Sequence, residues 1–310
     1  MGERYLVTGG AGFIGSNIVD ELLAQGHTVR IIDNFSTGRR ENIAHVRDHI
    51  EVVEGDIRSY ERCHYAVREI DYVIHEAALP SVPRSVQDPL TSNDTIVTGT
   101  LNVLLAARDA GVGRVVFASS SSVYGANPVL PKREDLEARP LSPYGVAKLA
   151  AEQYCMAFHQ VYGLETVALR YFNVFGPRQD PGSEYSAVIP KFLQAVAAGE
   201  RPTIYGDGMQ TRDFTHVKNV VTGTLAAVVC NSPGEIFNVA CGQANTLLNL
   251  LDTIAAALGK EVRPVFAPPR SGDVRDSYAD VSKARRVLGF DPSVTLPEGI
   301  AAMAAELLPT

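Results

Sequence analysis

A tyrosine and a lysine four residues apart are the first candidates for chemistry in this sequence. Tyr144 and Lys148 lie in the segment YGVAK after Pro143, where a helix is predicted to begin, so both side chains project from one helix face. A lysine ammonium beside a phenol favours the phenolate and lowers the phenol pKa, which makes Tyr144 a candidate base at neutral pH. Alone, the pattern YxxxK is more typical of an ordinary amphipathic helix.

Four consecutive serines strengthen the case for a catalytic pair. Residues 119–122 follow the apolar run 115–118, which is predicted to be a strand. At the carboxyl end of a sheet, serine hydroxyls can hold a substrate oxygen and relay a proton to a base. Serine runs also occur in ordinary loops, so this interpretation depends on the partner motifs.

A glycine-rich turn, TGGAGFIG, predicts a dinucleotide site between the first strand and the first helix. Gly9 permits a tight turn, Gly12 lets the backbone approach a pyrophosphate, and Gly15 allows close packing of helix and strand. The anion would lie at the helix N-terminus, where Phe13 and Ile14 are predicted contacts.

Asp33 ends the predicted second strand. An acid there accepts hydrogen bonds from the adenosine ribose hydroxyls and repels a 2′-phosphate, which favours NAD over NADP. Asp56 is predicted to lie near the adenine, but it could equally be the N-cap of a helix at residues 59–67. Further cofactor contacts are predicted next to strand ends, with small side chains lining the cofactor channel after the fourth strand: Asn34, Ile57, Ala77, Ala78 and Tyr171.

Short β-branched runs alternate with helix-like segments in the first half of the chain. This alternation predicts an α/β fold, a Rossmann-type doubly wound parallel sheet, with a smaller α/β lobe after Asn173, where Pro and Gly interrupt the pattern. The predicted domains are 1–175, joined again by 217–240, and a substrate lobe at 176–310. Strands are predicted at 5–7, 28–32, 51–54, 72–75, 115–118 and 166–170, and helices at 14–25, 90–110 and 144–162.

Composition excludes several classes of protein. The 310 residues carry a net charge of -7 with a pI near 5.5, which argues against a nucleic-acid partner. The four cysteines lack both zinc-site spacing and the density of a disulfide scaffold, so buried thiols and no metal are expected. No signal-peptide pattern and no apolar run of the roughly 20 residues that cross a bilayer are found, so we expect a cytoplasmic protein with no membrane partner.

Together, the segments TGGAGFIG, SSSSVYG, SPYGVAK and RYFNVFGPRQ resemble the extended short-chain dehydrogenase/reductase family, specifically its nucleotide-sugar 4-epimerases. HEAA, PSVP and RQDP are closest to bacterial UDP-hexose and UDP-N-acetylhexosamine 4-epimerases, and the resemblance spans nearly the whole chain. It implies bound NAD, a UDP-sugar substrate in the 176–310 lobe, and inversion at C4 through a transient 4-keto intermediate. It also implies a homodimer formed by the helices at 90–110 and 144–162.

The resemblance implies a role for each catalytic residue. Tyr144 would remove the proton of the 4-hydroxyl, Lys148 would hold the nicotinamide ribose and tune Tyr144, and Ser120 would bond the reacting oxygen. Asn173 would contact the substrate near its phosphates. Further substrate contacts implied by the resemblance are Ser81, Ser121, Ser122, Val188 and Tyr205.

The UDP moiety and the hexose would be recognised by the C-terminal lobe. Arg212 and Arg270 match the arginines that clamp the pyrophosphate, a task that suits planar guanidinium groups. Asp273 matches the acid that binds the uridine ribose, and Ser277, four residues later, would lie against the hexose. Because serine is small, the resemblance predicts that UDP-GlcNAc and UDP-GalNAc are accepted as well as UDP-Glc and UDP-Gal. The alternative is that Ser277 is an ordinary loop serine ahead of a helix beginning near Val281.

One departure and several alternatives remain open. The family usually carries asparagine where this chain has Ile96, which puts that polar contact near the cofactor in doubt. Sugar dehydratases and decarboxylases need a carboxylate after the first hydroxyl residue, and the corresponding segment is Ser120-Ser121-Ser122. UDP-glucuronate 4-epimerisation is the alternative activity, with Arg178 facing a C6 carboxylate. A non-catalytic NAD or UDP-sugar sensor is disfavoured, because such proteins typically lose the tyrosine or the lysine.

Overall fold

A seven-stranded parallel sheet dominates the computed structural model, which describes residues 2–180, 188–269 and 274–307. The strands are β1 (Arg4–Thr8), β2 (Thr28–Asp33), β3 (Ile50–Glu54), β4 (Tyr72–His75), β5 (Arg114–Ser120), β6 (Glu165–Tyr171), β7 (Val174–Phe175), β8 (Thr203–Tyr205), β9 (Thr211–Arg212), β10 (Thr215–His216), β11 (Glu235–Val239), β12 (Asn245–Thr246), β13 (Val265–Ala267) and β14 (Asp276–Ser277). The helices are α1 (Phe13–Ala24), α2 (Tyr60–Ala66), α3 (Val82–Gln87), α4 (Pro89–Asn93), α5 (Gly99–Ala110), α6 (Pro143–Tyr162), α7 (Val188–Ala197), α8 (Val217–Val229), α9 (Leu247–Leu258), α10 (Ser282–Leu288) and α11 (Leu296–Leu307).

The strand order of the large sheet is β11-β6-β5-β4-β1-β2-β3, and every neighbouring pair is parallel. The Rossmann-type fold class predicted from the sequence is therefore confirmed. The strand order changes direction between β1 and β4, and ligands of open α/β sheets bind outside the carboxyl ends of the strands at such a point. The glycine-rich turn after β1 begins there.

The large sheet also recruits chain from the second half of the sequence. After α8 the chain returns as β11 and pairs with β6 along all five of its residues. Smaller parallel or mixed sheets lie outside it: β7 with β10, β8 with β13, and β12-β9-β14. The domain boundary near residue 175 stays a prediction.

Apolar side chains fill both faces of the large sheet. One cluster lies between the sheet and helices α1 and α8, and a second lies between the sheet and helices α2, α5 and α6. A third cluster, around Phe192, Leu250 and Ile254, holds the helices of the smaller lobe together. Within the described ranges, no helix is both long and apolar enough to cross a membrane.

The predicted helix at 90–110 is interrupted. Its first part is α4, its second is α5, and a π turn at Asp94–Thr98 joins them. Ile96 lies in this turn with 1% of its surface exposed, in the apolar cluster below α5. The position where related enzymes carry asparagine is therefore a packing position here. Single π turns inside helices are frequent at functional sites.

A buried ion pair attaches α6 to the sheet. The two side chains of Arg170 on β6 and Glu152 on α6 are 4% and 0% exposed and approach to 2.7 Å. Ser119 on β5 donates a further hydrogen bond to Glu152 at 2.9 Å. One carboxylate thus fixes α6 to both β5 and β6. Its partners, Ser119 and Arg170, are each the last residue but one of their strand.

We predict that Glu152→Ala strongly destabilises the fold, because the substitution leaves the Arg170 guanidinium buried without its counter-charge. Removing one partner of a buried pair costs about 3–5 kcal/mol. The apparent free energy of urea unfolding would measure this loss. Arg139→Gln, which breaks an exposed pair with Glu137, is the control and should change little. A loss for Glu152→Ala no larger than that of the control would contradict the assignment.

Candidate active site

The start of α6 places Tyr144 beside Ser120. Ser142 caps the helix by accepting a hydrogen bond from the Gly145 N–H at 3.1 Å, and the Tyr144 N–H donates to Ser85 Oγ at 3.0 Å. A Cβ at Gly145 would lie 2.8 Å from the Ser122 carbonyl oxygen, so only glycine allows this close approach. The Ser120 hydroxyl lies close enough to the Tyr144 hydroxyl to lower its pKa. Two of the predicted catalytic residues therefore meet at the carboxyl end of β5.

The protein's own groups do not make Tyr144 a base at neutral pH. Burial raises the pKa of Tyr144 to about 12, the neighbouring Ser120 hydroxyl acts in the opposite direction, and the charge of Glu76 raises it further. The sequence-based expectation that Lys148 lowers this pKa is not met, since Lys148 Nζ donates to the Ala118 carbonyl at 2.6 Å. Another positive charge beside Tyr144 is required before the phenol ionises near pH 7.

Glu76 is a site residue that the sequence analysis missed. It follows β4, and its carboxylate accepts a hydrogen bond from the Tyr171 hydroxyl at 2.8 Å. Burial raises the pKa of Glu76 to about 7, while Tyr171 and the charge of Lys148 lower it. Burial lowers the pKa of Lys148 to about 8, and Glu76 raises it. An acid between His75 and Ala77, at the end of an otherwise apolar strand, was the signal available in the sequence.

The glycine turn fits a pyrophosphate. Gly9 has a φ of +69°, and a Cβ on it would lie 2.9 Å from Ala77 Cα. A Cβ on Gly15 would lie 2.2 Å from the Gly9 carbonyl oxygen, so the helix starts in contact with the turn. Gly12 is the N-cap of α1 and supplies no side-chain acceptor to the N–H groups that follow, at Phe13 and Ile14. These donors can bind an anion at the positive end of the helix dipole.

Asp33 organises the adenosine end of the predicted cofactor site. The residue is 7% exposed. Its carboxylate accepts hydrogen bonds from the N–H groups of Ala11 at 2.9 Å and Phe35 at 2.8 Å. Burial raises the Asp33 pKa, and these two bonds oppose the rise. Each carboxylate oxygen keeps a lone pair for a further donor such as a ribose hydroxyl.

Asn34 and Asp56 lie next to each other beside Asp33. The Asn34 amide donates to Asp56 at 2.8 Å, and hydrogen bonds from Arg58 lower the pKa of Asp56 to about 2. The alternative that Asp56 caps a helix is wrong, because Ser59 is the N-cap of α2. Ile57 is 5% exposed and packs below α5.

A buried chain of hydrogen bonds joins β1, β4 and α5 below the glycine turn. The Ala77 N–H donates to Thr8 Oγ1 at 3.1 Å, and Thr8 Oγ1 lies 2.6 Å from His75 Nδ1. His75 Nε2 lies 3.0 Å from Thr100 Oγ1, whose own proton goes to the Ile96 carbonyl. His75 must therefore carry its proton on Nε2 and accept from Thr8 at Nδ1. Burial lowers the pKa of His75 to about 3, so the imidazole stays neutral.

The smaller lobe contains a cavity of about 720 Å³ that is lined by both apolar and charged side chains. Tyr205 and Phe266, on the paired strands β8 and β13, form much of the apolar wall and are 38% and 56% exposed. Arg212 and Arg275 contribute positive charge, and Arg275 pairs with Asp207 at 2.9 Å. An aromatic surface next to guanidinium groups suits a base joined to phosphates. Arg275 was not among the predicted residues.

Ser277 lies beside Arg212 in the sheet β12-β9-β14. The two residues are direct partners in the parallel pairing of β14 with β9, and Ser277 is partly buried. It is therefore a strand residue rather than a residue of an exposed loop, and Val281 is the N-cap of α10.

Asp213 anchors this small sheet and was missed by the sequence analysis. Its carboxylate is fully buried and accepts hydrogen bonds from the N–H groups of Cys241 at 3.0 Å, Gly242 at 2.9 Å and Ala279 at 3.1 Å. Burial raises its pKa to about 6, and the backbone donors act in the opposite direction. Asn173, at a φ of +31°, donates to the Asp213 carbonyl at 3.3 Å, which connects the end of β6 to the small sheet.

The remaining predicted residues are placed as follows. Ser81 caps α3, the Tyr171 hydroxyl bonds Glu76 and Thr224, and Ala78 is partly buried after β4. Ser121 and Ser122 form a 3₁₀ turn after β5, and Val188 begins α7. Arg270 and Asp273 lie outside the described residues.

The Arg178 side chain contacts α1 and the loop after β2. Its guanidinium forms an ion pair with Asp20 on α1 at 2.6 Å and donates to the Asn42 carbonyl at 3.1 Å. These contacts occupy the guanidinium donors that the alternative activity would need for a substrate carboxylate.

Comparison with known proteins places this geometry among sugar-nucleotide enzymes. The sequence model described as the NAD dependent epimerase/dehydratase family matches residues 5–240. A UDP-glucose 4-epimerase from Mycolicibacterium smegmatis is 43% identical over 302 residues, 96% of each chain. The structure of UDP-glucose 4-epimerase from Thermotoga maritima with UDP-glucose has a TM-score of 0.93 at 38% identity over 97% of each chain. UDP-N-acetylglucosamine 4-epimerase from Methanobrevibacter ruminantium, in complex with UDP-N-acetylmuramic acid, has a TM-score of 0.93 at 39% identity, covering 99% of this chain and 100% of that one.

Proposed function

Since this chain belongs to the NAD dependent epimerase/dehydratase family, we propose that it inverts C4 of UDP-hexoses through a transient 4-keto intermediate. The proposed substrates are the pairs UDP-GlcNAc/UDP-GalNAc and UDP-Glc/UDP-Gal. The observation that carries the proposal is the placement of Tyr144, at the start of α6, beside Ser120 at the carboxyl edge of the sheet. An isomerase of this kind needs no further substrate, because its cofactor is regenerated in each cycle.

The protein's residues would act on the proton of the sugar, while bound NAD supplies the hydride acceptor and later the hydride donor at C4. Tyr144 accepts the proton of the 4-hydroxyl, and Ser120 holds the same oxygen. Lys148, whose ammonium donates to the Ala118 carbonyl, would hold the nicotinamide ribose. Tyr144, whose pKa is raised by burial, would ionise more readily beside the positive charge that bound oxidised NAD would supply.

The UDP group would occupy the cavity of the smaller lobe. Its aromatic wall, with Tyr205 and Phe266, suits the uracil ring, and Arg212 suits the phosphates. Arg270 and Asp273 are proposed to complete the clamp and the ribose contact. Ser277, in register with Arg212, would then face the hexose.

The alternative activities have less support. UDP-glucuronate 4-epimerisation would need a cation for the C6 carboxylate, and the Arg178 guanidinium is paired with Asp20 instead. The segment Ser120-Ser121-Ser122 lacks the carboxylate that dehydratases and decarboxylases use after the first hydroxyl residue. A sensor without turnover would have no need of the Tyr144 and Ser120 pair.

The proposed assembly is a homodimer formed through α4, α5 and α6. Large apolar side chains are exposed on or near this side of the molecule, and isolated monomers rarely expose many together. They include Leu90 (81% exposed), Val146 (54%), Val161 (69%) and Tyr162 (52%).

The first test is Tyr144→Phe, which keeps the ring and removes the ionisable oxygen. We expect kcat for interconversion of UDP-GlcNAc and UDP-GalNAc to fall by about 10²–10⁴-fold, the usual contribution of a general acid–base group. Binding of UDP-sugar and the NAD that co-purifies should be largely retained, and both are measured as controls. Net accumulation of NADH by the wild-type protein, or a variant with most of its kcat, would overturn the proposal.

The second test is the pH profile of Glu76→Gln. Above about pH 7 the Glu76 carboxylate supports the Lys148 ammonium, whose pKa is already lowered to about 8 by burial. Without that charge Lys148 loses its proton at lower pH, so the alkaline limb of the kcat/KM profile should move to lower pH. Below pH 7 Glu76 is protonated and the two profiles should converge. Glu69→Gln, an exposed acid at the opposite edge of the sheet, is the control; an unmoved alkaline limb would argue against this role.

The third test is Ser277→Tyr, which concerns the choice of sugar. The 4-keto sugar must rotate in the site to present its other face to the cofactor. The pocket therefore has to accommodate a 2-acetamido group in two orientations, and packed sites tolerate little added volume. We expect the variant to lose interconversion of the N-acetylated pair while UDP-Glc and UDP-Gal are still interconverted. Comparable kcat/KM losses on both pairs, or no loss on either, would show that Ser277 does not select the sugar.

A further inference from the structure

The segment that follows β6 leaves the carboxyl end of the sheet at β6 and ends against α1, the helix that follows β1. It starts at Tyr171, next to the catalytic strand β5, and reaches Asp180, which pairs with Arg39 just beyond β2. From β6 to β1 is three strand positions, about 14 Å at the spacing of ~4.8 Å between strands. Nine residue steps can span up to about 30 Å at ~3.3 Å each, so the segment covers this width without being stretched. The dinucleotide site lies along the same edge.

The far end of the segment is fastened by charged and polar contacts. Arg178 pairs with Asp20 at 2.6 Å and donates to the carbonyls of Asn42 at 3.1 Å and Ser16 at 3.4 Å. Arg39 pairs with Asp180 at 2.6 Å. The partners on the nucleotide side belong to α1, which begins at the glycine turn, and to the 3₁₀ segment Arg40–His49, which follows the adenosine loop.

The same elements hold the glycine turn. The Arg39 N–H and the Asn42 side-chain amide both donate to the Ala11 carbonyl at 2.9 Å. Asn17 joins the two sides, since its amide donates to the Phe13 carbonyl at 2.9 Å and the Pro177 carbonyl at 3.3 Å. Any widening of the gap between the segment and α1 therefore has to break contacts that end on the residues around the predicted pyrophosphate site.

Arg178 also has a strained backbone. Its φ of +69° lies in the left-handed region that non-glycine residues rarely adopt. Such conformations persist where the surrounding contacts hold them, and they are frequent at ligand clamps and functional sites. Here the strained residue is the one that directs its guanidinium onto α1.

We propose that Arg178 with Asp20, supported by Arg39 with Asp180, forms a latch that holds the segment 172–180 across the dinucleotide site and slows the release of NAD. These are positioning residues, because none of them has to touch a reacting atom. The inference rests on the proposed function only through the presence of bound NAD. An epimerase has to keep its cofactor while the sugar is oxidised and reduced, so slow release is a requirement of that chemistry.

Charged neighbours determine how the latch responds to salt. Asp20 also lies 2.9 Å from His45 Nε2, so two basic side chains face it. The Arg178 and Asp20 side chains are 22% and 34% exposed, and those of Arg39 and Asp180 are 53% and 35% exposed. Pairs with this exposure are weakened by dissolved salt, whereas fully buried pairs are weakened less. The release of NAD from the wild-type protein should therefore become faster as salt increases.

The test measures the release rate of NAD from the holoenzyme. Protein loaded with NAD is mixed with an NAD-consuming dehydrogenase and its alcohol substrate, and the NADH formed from released cofactor is followed by absorbance. We expect release from Arg178→Gln and from Asp20→Asn to be about tenfold faster or more, and its salt dependence to be smaller than in the wild type. The charge exchange Asp20→Arg with Arg178→Asp should restore part of the slow release. Aspartate suits the left-handed backbone at position 178 better than most residues.

Arg4→Gln provides the matched control, because it removes an exposed pair with Glu69 at the opposite edge of the sheet. It should leave both the release rate and its salt dependence unchanged. Melting temperatures of all variants separate a general loss of stability from faster release, since a purely structural role would lower the melting temperature without changing release well below it. Release as slow as in the wild type for both single variants would overturn the latch and leave the epimerase proposal standing. Absence of UDP-sugar turnover in the wild type would overturn the epimerase proposal whatever the release rates.

Discussion

The parallel arrangement of the large sheet is the constraint on which every part of the site depends. Because neighbouring strands run in one direction, their carboxyl ends meet at one edge, and residues far apart in sequence become neighbours there. Gly9 follows β1, Asp33 ends β2, Glu76 follows β4 and Ser120 ends β5. The α6 helix adds Tyr144 and Lys148 from one face of that sheet. The residues predicted to carry the chemistry therefore share one edge of the sheet.

Two buried carboxylates hold different parts of this arrangement together. Glu152 is paired with Arg170 and attaches α6 to the large sheet, so its role is structural. Asp213 accepts hydrogen bonds from backbone N–H groups and ties the small sheet to the turn after β11. Both are satisfied by fixed donors, which makes their positions rigid. Glu76 differs, because a pKa near neutrality and a position beside Lys148 make its charge variable.

Local signals in the sequence were sufficient for the fold class and for the segments that carry the site. Alternating strand and helix patterns predicted the parallel sheet, and the turn after β1 was readable because glycines at 9, 12 and 15 have distinct steric roles. Long-range contacts were not readable. The side chain of Arg178 bonds α1 across 158 positions of sequence, and the Tyr171 hydroxyl reaches Glu76 across 95, so no local pattern reveals either. The effect of burial on Tyr144 was not readable for a related reason: burial raises its pKa, and burial is a property of the whole fold.

The chain of hydrogen bonds through His75 has a direction. Each oxygen and nitrogen in it accepts from one neighbour and donates to the next, from the Ala77 N–H through Thr8, His75 and Thr100 to the Ile96 carbonyl. Replacing one hydroxyl with a group that only donates or only accepts would leave two like partners facing each other in a dry interior. Thr8, His75 and Thr100 therefore act as one unit: a substitution that removes the donor or the acceptor of one of them leaves an unmatched polar group on its neighbour and weakens the alignment of the residues around Ala77.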